Sequence, residues 1–102
     1  MKEVQVLGVE NEELKIALSG DIDVGNADEF FAVVETAYAA EKKTIAFDCQ
    51  QLSFIDSTTL GVFVKITKMT EVDGNKVRLL GLQARIKKLF TICALGSRME
   101  IA

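Results

Sequence analysis

Four polar residues in a row, Asp56-Ser57-Thr58-Thr59, are the part of this chain best equipped for chemistry. They follow the apolar pair Phe54-Ile55 and precede Leu60-Gly61-Val62, which opens a helix-like segment. The first backbone N–H groups of a helix lack intrahelical acceptors and favour negative charge. Hydroxyls placed there, beside a carboxylate, could receive or carry a phosphate. The same residues also suit plain capping, in which Asp56 or Ser57 N-caps the helix and contributes ~1 kcal/mol. The two readings are compatible, because a hydroxyl at a helix start is exposed.

The rest of the chain offers little competing chemistry. Histidine is absent from the 102 residues. That removes histidine acid–base catalysis, the Ser-His-Asp triad and the commonest metal ligand, so Ser57 has no base to make it a nucleophile. No GxxxxGK[ST] phosphate loop is present. No catalytic residue, metal site or cofactor is expected, and the chain reads as a non-enzyme. Cys49 and Cys93 form no CxxC pair. Each sits in an apolar run and reads as a buried free thiol, which fits a reducing, cytoplasmic location. Asp21 and Asp23 are either turn residues or partner contacts; Asp48 reads as a turn residue.

Charge and length narrow the function classes further. One domain spanning residues 1–102 is expected at this length. The start of the chain carries charge at once and has no signal-peptide apolar region. No apolar run approaches the ~20 residues a membrane span needs, so no membrane insertion is expected. Residues 1–41 carry two basic and ten acidic side chains, whereas residues 42–102 carry ten basic and five acidic. Basic residues are scattered and Trp is absent, which argues against direct nucleic-acid binding. The asymmetry instead suits a dipolar surface that meets a protein partner, or a solvated face. Lys65, Lys68, Arg85, Lys87 and Lys88 read as a solvated face, with partner contact as the alternative.

Periodicity supplies the elements that must position Ser57. Val4, Val6 and Val9 alternate roughly, Glu10-Asn11-Glu12-Glu13 makes a polar turn, and Leu14, Ile16 and Leu18 alternate cleanly. These are two strands, the second ended by Gly20. Asn26 with Glu29 resembles a capping box. Phe30, Val33, Val34, Ala37 and Tyr38 then recur at helical spacing, and Lys42-Lys43 closes the helix. Thr44–Phe47 reads as a short buried strand. A second helix runs from Ser57 to about Val72 and stops at Asp73-Gly74-Asn75. Val77, Leu79 and Leu80 form another strand. A third helix is expected from Gln83 to Leu95, with Ile86, Leu89, Phe90 and Cys93 on one face. Met99–Ile101 adds a short edge strand.

The expected order is ββαβαβα(β), an α/β fold with a mainly parallel sheet and crossover helices. The apolar third and fourth strands suggest burial on both faces. Parallel strands share one C-terminal edge, so Gly20-Asp21-Ile22-Asp23 should lie beside Asp56-Ser57, where α/β sheets keep their functional sites.

The segment from Leu52 to Val62, LSFIDSTTLGV, resembles the signature of the STAS domain, and in particular of stand-alone bacterial anti-sigma factor antagonists. Gly20-Asp21-Ile22-Asp23 resembles that family's segment after the second strand. Arg85-Ile86-Lys87-Lys88-Leu89-Phe90 resembles its third helix, followed by a small-Leu pair written here Ala94-Leu95. The likeness spans nearly the whole chain. It implies a single STAS-like domain and a phosphorylation switch. The serine after the motif aspartate, here Ser57, would be phosphorylated by an anti-sigma factor that is also an ATP-dependent serine kinase. The unmodified form would bind that kinase and release the sigma factor; the phosphorylated form would not bind, and a protein phosphatase would reset it. Asp21, Asp23, Asp56, Ser57, Thr58 and Thr59 would form the partner-binding surface. Thr59 departs from the family, which often has Gly or Ala there, and it adds a competing hydroxyl. Small STAS proteins also resemble accessory subunits of lipid-transport ABC complexes, an alternative that involves no sigma factor.

Overall fold

The computed structural model describes residues 1–93 and 97–102. Strands β1 (Val4–Glu10) and β2 (Glu13–Ile22) lead into helix α1 (Ala27–Ala40). Strand β3 (Thr44–Ile55), helix α2 (Ser57–Glu71), strand β4 (Val77–Leu80), helix α3 (Ala84–Ile92) and strand β5 (Glu100–Ile101) follow. The five strands form one sheet in the order β1-β2-β3-β4-β5. β1 pairs antiparallel with β2, and every other neighbouring pair is parallel. The mainly parallel α/β fold read from the sequence is the fold of the molecule.

The β1–β2 hairpin turns at Asn11 and Glu12, both with positive φ (55° and 63°). Two successive left-handed residues are what a two-residue hairpin loop needs to match the twist of its strands. The strand order from β2 to β5 runs in one direction. Right-handed crossovers that never reverse place every helix on the same face. The core follows from this. Phe30 of α1 and Phe63 of α2 pack at 5.3 Å between ring centroids, and Phe47 of β3 meets them at 6.1 and 5.4 Å. Phe90 of α3 packs on Phe63 at 5.3 Å. Four aromatic rings therefore tie three helices to the middle strand, with Phe63 at the hub.

One consequence corrects the expectation that β3 and β4 are buried on both faces. The helix-free face carries Glu13, Lys15, Asp48, Gln50 and Arg78. Asp48 and Gln50 are exposed and the others half-buried. Arg78 donates to both Glu13 carboxylate oxygens at 2.8 and 2.7 Å, and Lys15 donates to Glu13 at 3.0 Å. Burial alone would raise the Glu13 carboxyl, but these bonds and charges outweigh it and hold the group below its usual range. Polar side chains on alternate positions let this face meet water.

Several boundaries also differ from the sequence reading. β3 continues to Ile55 instead of stopping at Phe47, and Asp48 is a mid-strand residue opposite Ala17 and Leu80. The β2–β3 ladder slips twice, between Ala17 and Ser19 and between Gly20 and Asp21. Such bulges break the two-residue alternation and hide a strand from its pattern. Asn26 is the N-cap residue of α1, but its side chain makes no capping hydrogen bond, so the expected capping box is not formed. Lys42 and Lys43 lie beyond the end of α1, and Lys43 pairs with Glu12 at 3.3 Å. Cys49 is buried, but Cys93, just past the end of α3, is exposed. The Ala94-Leu95 pair lies outside the described residues.

Candidate functional site

The site is assembled where the C-terminal ends of β2 and β3 meet the start of α2. Ile22 and Ile55, the last residues of the two strands, are register partners. Asp56 follows in extended conformation (φ −119°, ψ −175°) and is the N-cap of α2. Its Oδ1 accepts a hydrogen bond from the Thr59 backbone N–H at 3.0 Å. Its Oδ2 accepts from the Val24 N–H at 2.9 Å, across 32 residues of chain. One carboxylate thus caps the helix and pins the β2–α1 loop to it. The Thr59 N–H lowers the Asp56 carboxyl below its ordinary range, outweighing desolvation, and the Val24 N–H adds to the effect.

Thr59 completes the junction. The side chain is fully buried. Its hydroxyl donates to the Ile22 carbonyl and lies 3.1 Å from Asp56 Oδ1. The hydroxyl has a single proton and faces two acceptors, so that proton is shared between the Ile22 carbonyl and Asp56 Oδ1. This corrects the expectation that Thr59 belongs to the partner-binding surface and competes as a phosphate acceptor. Its side chain is enclosed in the frame behind the surface, and its proton is already committed.

Ser57 and Thr58, by contrast, are exposed on the first turn of α2. Asp21 is exposed and Asp23 half-buried on the neighbouring loop. That loop is held by Asn26, whose Oδ1 accepts from the Asp23 N–H at 2.8 Å and whose Nδ2 donates to the Asp21 carbonyl at 3.0 Å. Asp23 Oδ1 accepts from the Gly25 N–H at 2.9 Å, a local turn. Asp23 is therefore a turn residue in fact. The fold brings Asp21, Asp23, Asp56, Ser57 and Thr58 to one edge of the sheet, as the strand order required.

Some residues of this edge escaped the sequence reading. Val24 is 75% exposed and Phe54 46% exposed, and both stand beside the Asp56–Ser57 junction. Phe54 is the register partner of Asp21, just past the second bulge, so its outward orientation depends on a slip that periodicity does not record. Arg85 is exposed, as a solvated residue should be, and it also donates to the Ser53 carbonyl at 2.8 Å, fastening α3 to the end of β3. Lys65 lies 4.5 Å from the Phe31 ring centroid, a cation–π contact between α2 and α1. Among the described residues no group of three or more Cys, Asp or Glu side chains is placed to hold a metal ion. Nor is any helix among them long and apolar enough to cross a membrane.

Comparison with known proteins converges on one family. The STAS domain model matches residues 4–102. The anti-sigma-B factor antagonist of Listeria monocytogenes is 29% identical over 98 residues, which cover 96% of this chain and 86% of that protein. The Bacillus cell fate determinant SpoIIAA in its phosphorylated form superposes with a TM-score of 0.75 at 27% identity, covering 97% of this chain and 90% of that one. The unphosphorylated form of the anti-sigma factor antagonist SpoIIAA gives a TM-score of 0.76 at 23% identity, covering 97% and 86%.

Proposed function

The chain belongs to the STAS domain family, and from that membership we propose that it is an anti-sigma factor antagonist switched off by phosphorylation of Ser57. It binds an anti-sigma factor serine kinase in the cytoplasm, releases the sigma factor and is reset by a protein phosphatase. It is a substrate and binding module, not an enzyme, and it needs no cofactor and no direct contact with nucleic acid. The relatives named anti-sigma-B factor antagonist support this reading. The observation that carries it is the contrast along α2's first turn. Ser57 is exposed while Thr59, two residues on, is buried with its hydroxyl engaged.

The switch works by charge at a rigid edge. Asp56 already occupies the Thr59 N–H with its carboxylate. A phosphate on Ser57 therefore faces the partner, adding about −1.5 to −2 charges to a surface that carries Asp21 and Asp56. A loss of only ~1.4–2.8 kcal/mol weakens binding by one or two powers of ten. No refolding is required.

Incubation with ATP and the cognate kinase labels Ser57. Equal labelling of Ser57→Ala and wild type would remove the site assignment. Ser57→Asp weakens kinase binding, and an unchanged affinity would argue against the switch. Amide chemical shifts change on modification only near the start of α2 and the β2–α1 loop; changes across the whole sheet would contradict a rigid edge.

A further inference from the structure

The outer edge of β1 is the other surface that calls for an explanation. β1 pairs only with β2, so one side of this seven-residue strand presents unpaired backbone groups. Exposed edges are templates for pairing, and proteins blunt them with charge, proline or bulges. Residues 4–9, Val-Gln-Val-Leu-Gly-Val, carry no charge and no proline. The sole local device is a slip between Val6 and Gly8, where Gly8 has φ +102°.

The strand is also apolar where it is uncovered. Val6 is 43% exposed, Leu7 56% and Val9 42%. The other large exposed apolar residues among the described ones, Val24, Phe54, Val72 and Ile92, are dispersed over a loop, the end of β3 and the ends of α2 and α3. Val6 and Val9 are register partners of the buried residues Ile16 and Leu14, so their side chains stand on the helix side of the sheet but outside its cover. They form an apolar ledge next to a free strand edge.

We propose that β1 pairs antiparallel with β1 of a second copy of this chain, joining two sheets into one across a two-fold axis. Charge selects both the occupant and the direction. Lys2 stands exposed at the start of the strand beside Glu3, with the neighbouring N-terminal amine 3.9 Å from Glu29, whereas Glu10 stands exposed at the end, next to Glu12, which pairs with Lys43. Antiparallel pairing sets the lysine end of each copy against the acidic end of the other. Parallel pairing would stack the acidic ends. A two-fold interface presents the same patch on both sides, so each ledge of Val6 and Val9 meets its own equivalent. One strand pair lies at the small end of specific interfaces, so the dimer is concentration-dependent, with dissociation in the micromolar range or weaker. Ser57 follows β3, which β2 separates from β1, and it stays free to meet its partner.

Sedimentation velocity of the full chain from about 10 μM to about 1 mM tests this. The expected result is a rise in average mass toward twice that of one chain, with amide exchange at β1 slowing over the same range. Leu7→Lys and Val9→Lys each weaken the dimer about tenfold or more, one such step being 1.4 kcal/mol. Both side chains are exposed, so circular dichroism of the variants matches wild type. Val72→Lys, at an equally exposed apolar residue, leaves the dimer intact. A chain that stays monomeric at the highest concentration overturns the proposal, as would an edge covered only by a strand of a different protein. So does a dimer that Leu7→Lys and Val9→Lys both leave unchanged, or one whose protected amides lie in another element.

Discussion

Replacing Thr59 by valine isolates the interaction that joins the two halves of the site. Valine has nearly the shape of threonine, so the fully buried pocket around residue 59 stays filled. What is lost is the hydroxyl donating to the Ile22 carbonyl and touching Asp56 Oδ1. Leaving a buried acceptor without its donor costs about 1–3 kcal/mol. Asp56 keeps the Thr59-position backbone N–H and the Val24 N–H, so its share of the loss is small. A total near 2 kcal/mol lowers the melting temperature by roughly 8–16 °C in a domain of this size. Urea unfolding should show the midpoint falling with an unchanged slope. Thr59→Ser keeps the hydroxyl and loses one methyl group, worth about 0.8 kcal/mol, so it should cost less than valine. A valine variant within about 0.5 kcal/mol of wild type, or a serine variant worse than valine, would refute the claim that this hydroxyl holds β2 to α2.

Acid should weaken the fold through the carboxylates whose folded-state values are depressed. For Asp56 and Glu13 the stabilisation is complete above the ordinary carboxyl range and is lost as pH falls through the lower folded-state value. Asp56→Asn and Glu13→Gln should each flatten the acid limb of a stability–pH curve measured below about pH 4. Thiol titration of the folded chain should find one reactive cysteine, Cys93. Burial drives the Cys49 thiol up to about 12, helped by the charge of Asp48, and only denaturant should expose it. Gly81→Ala should destabilise more than Gly74→Ala in the same urea assay. Both glycines have φ +76°, which costs a side chain roughly 1–2 kcal/mol, but a Cβ at Gly81 would lie 2.6 Å from Gln50 Cγ while Gly74 has open space. Equal effects would mean that Gln50 yields freely. Tyr38→Phe should lower stability by about 1 kcal/mol. The change removes a hydroxyl that donates to Asp73 Oδ2 at 2.8 Å and accepts from Asn75 Nδ2 at 2.9 Å.

Much of the fold was legible because its signals are local. Leu14, Ile16 and Leu18 mark β2 by alternation, and all three are buried. Phe30, Val34 and Tyr38 mark the inner face of α1 by four-residue spacing. The start of α2 was readable from Asp56-Ser57, and α2 begins at Ser57. Shared strand direction was enough to expect Gly20–Asp23 beside Asp56. The failures have equally specific causes. β3 was truncated because its bulges place Leu52 and Ile55 three residues apart on the buried side. Cys93 was misplaced because an apolar neighbourhood in sequence does not say where a helix stops.

The order of elements, the mainly parallel sheet and the position of a hydroxyl cluster at a helix start are all legible in the residues alone. Those properties depend on spacing, capping chemistry and strand direction, all of which act over a few residues or follow from connectivity. Which hydroxyls face outward is fixed only by long-range packing: Ser57 and Thr58 are exposed and Thr59 is not. Thr59 is withdrawn by a carbonyl 37 positions earlier, and Asp56 is fixed by an N–H 32 positions away. Only the tertiary structure left one sheet face and the β1 edge uncovered, because that outcome depends on where three helices pack. Burial and hydrogen bonding between distant segments are properties of the assembled chain, and they separate the exposed Ser57 and Thr58 from the buried Thr59.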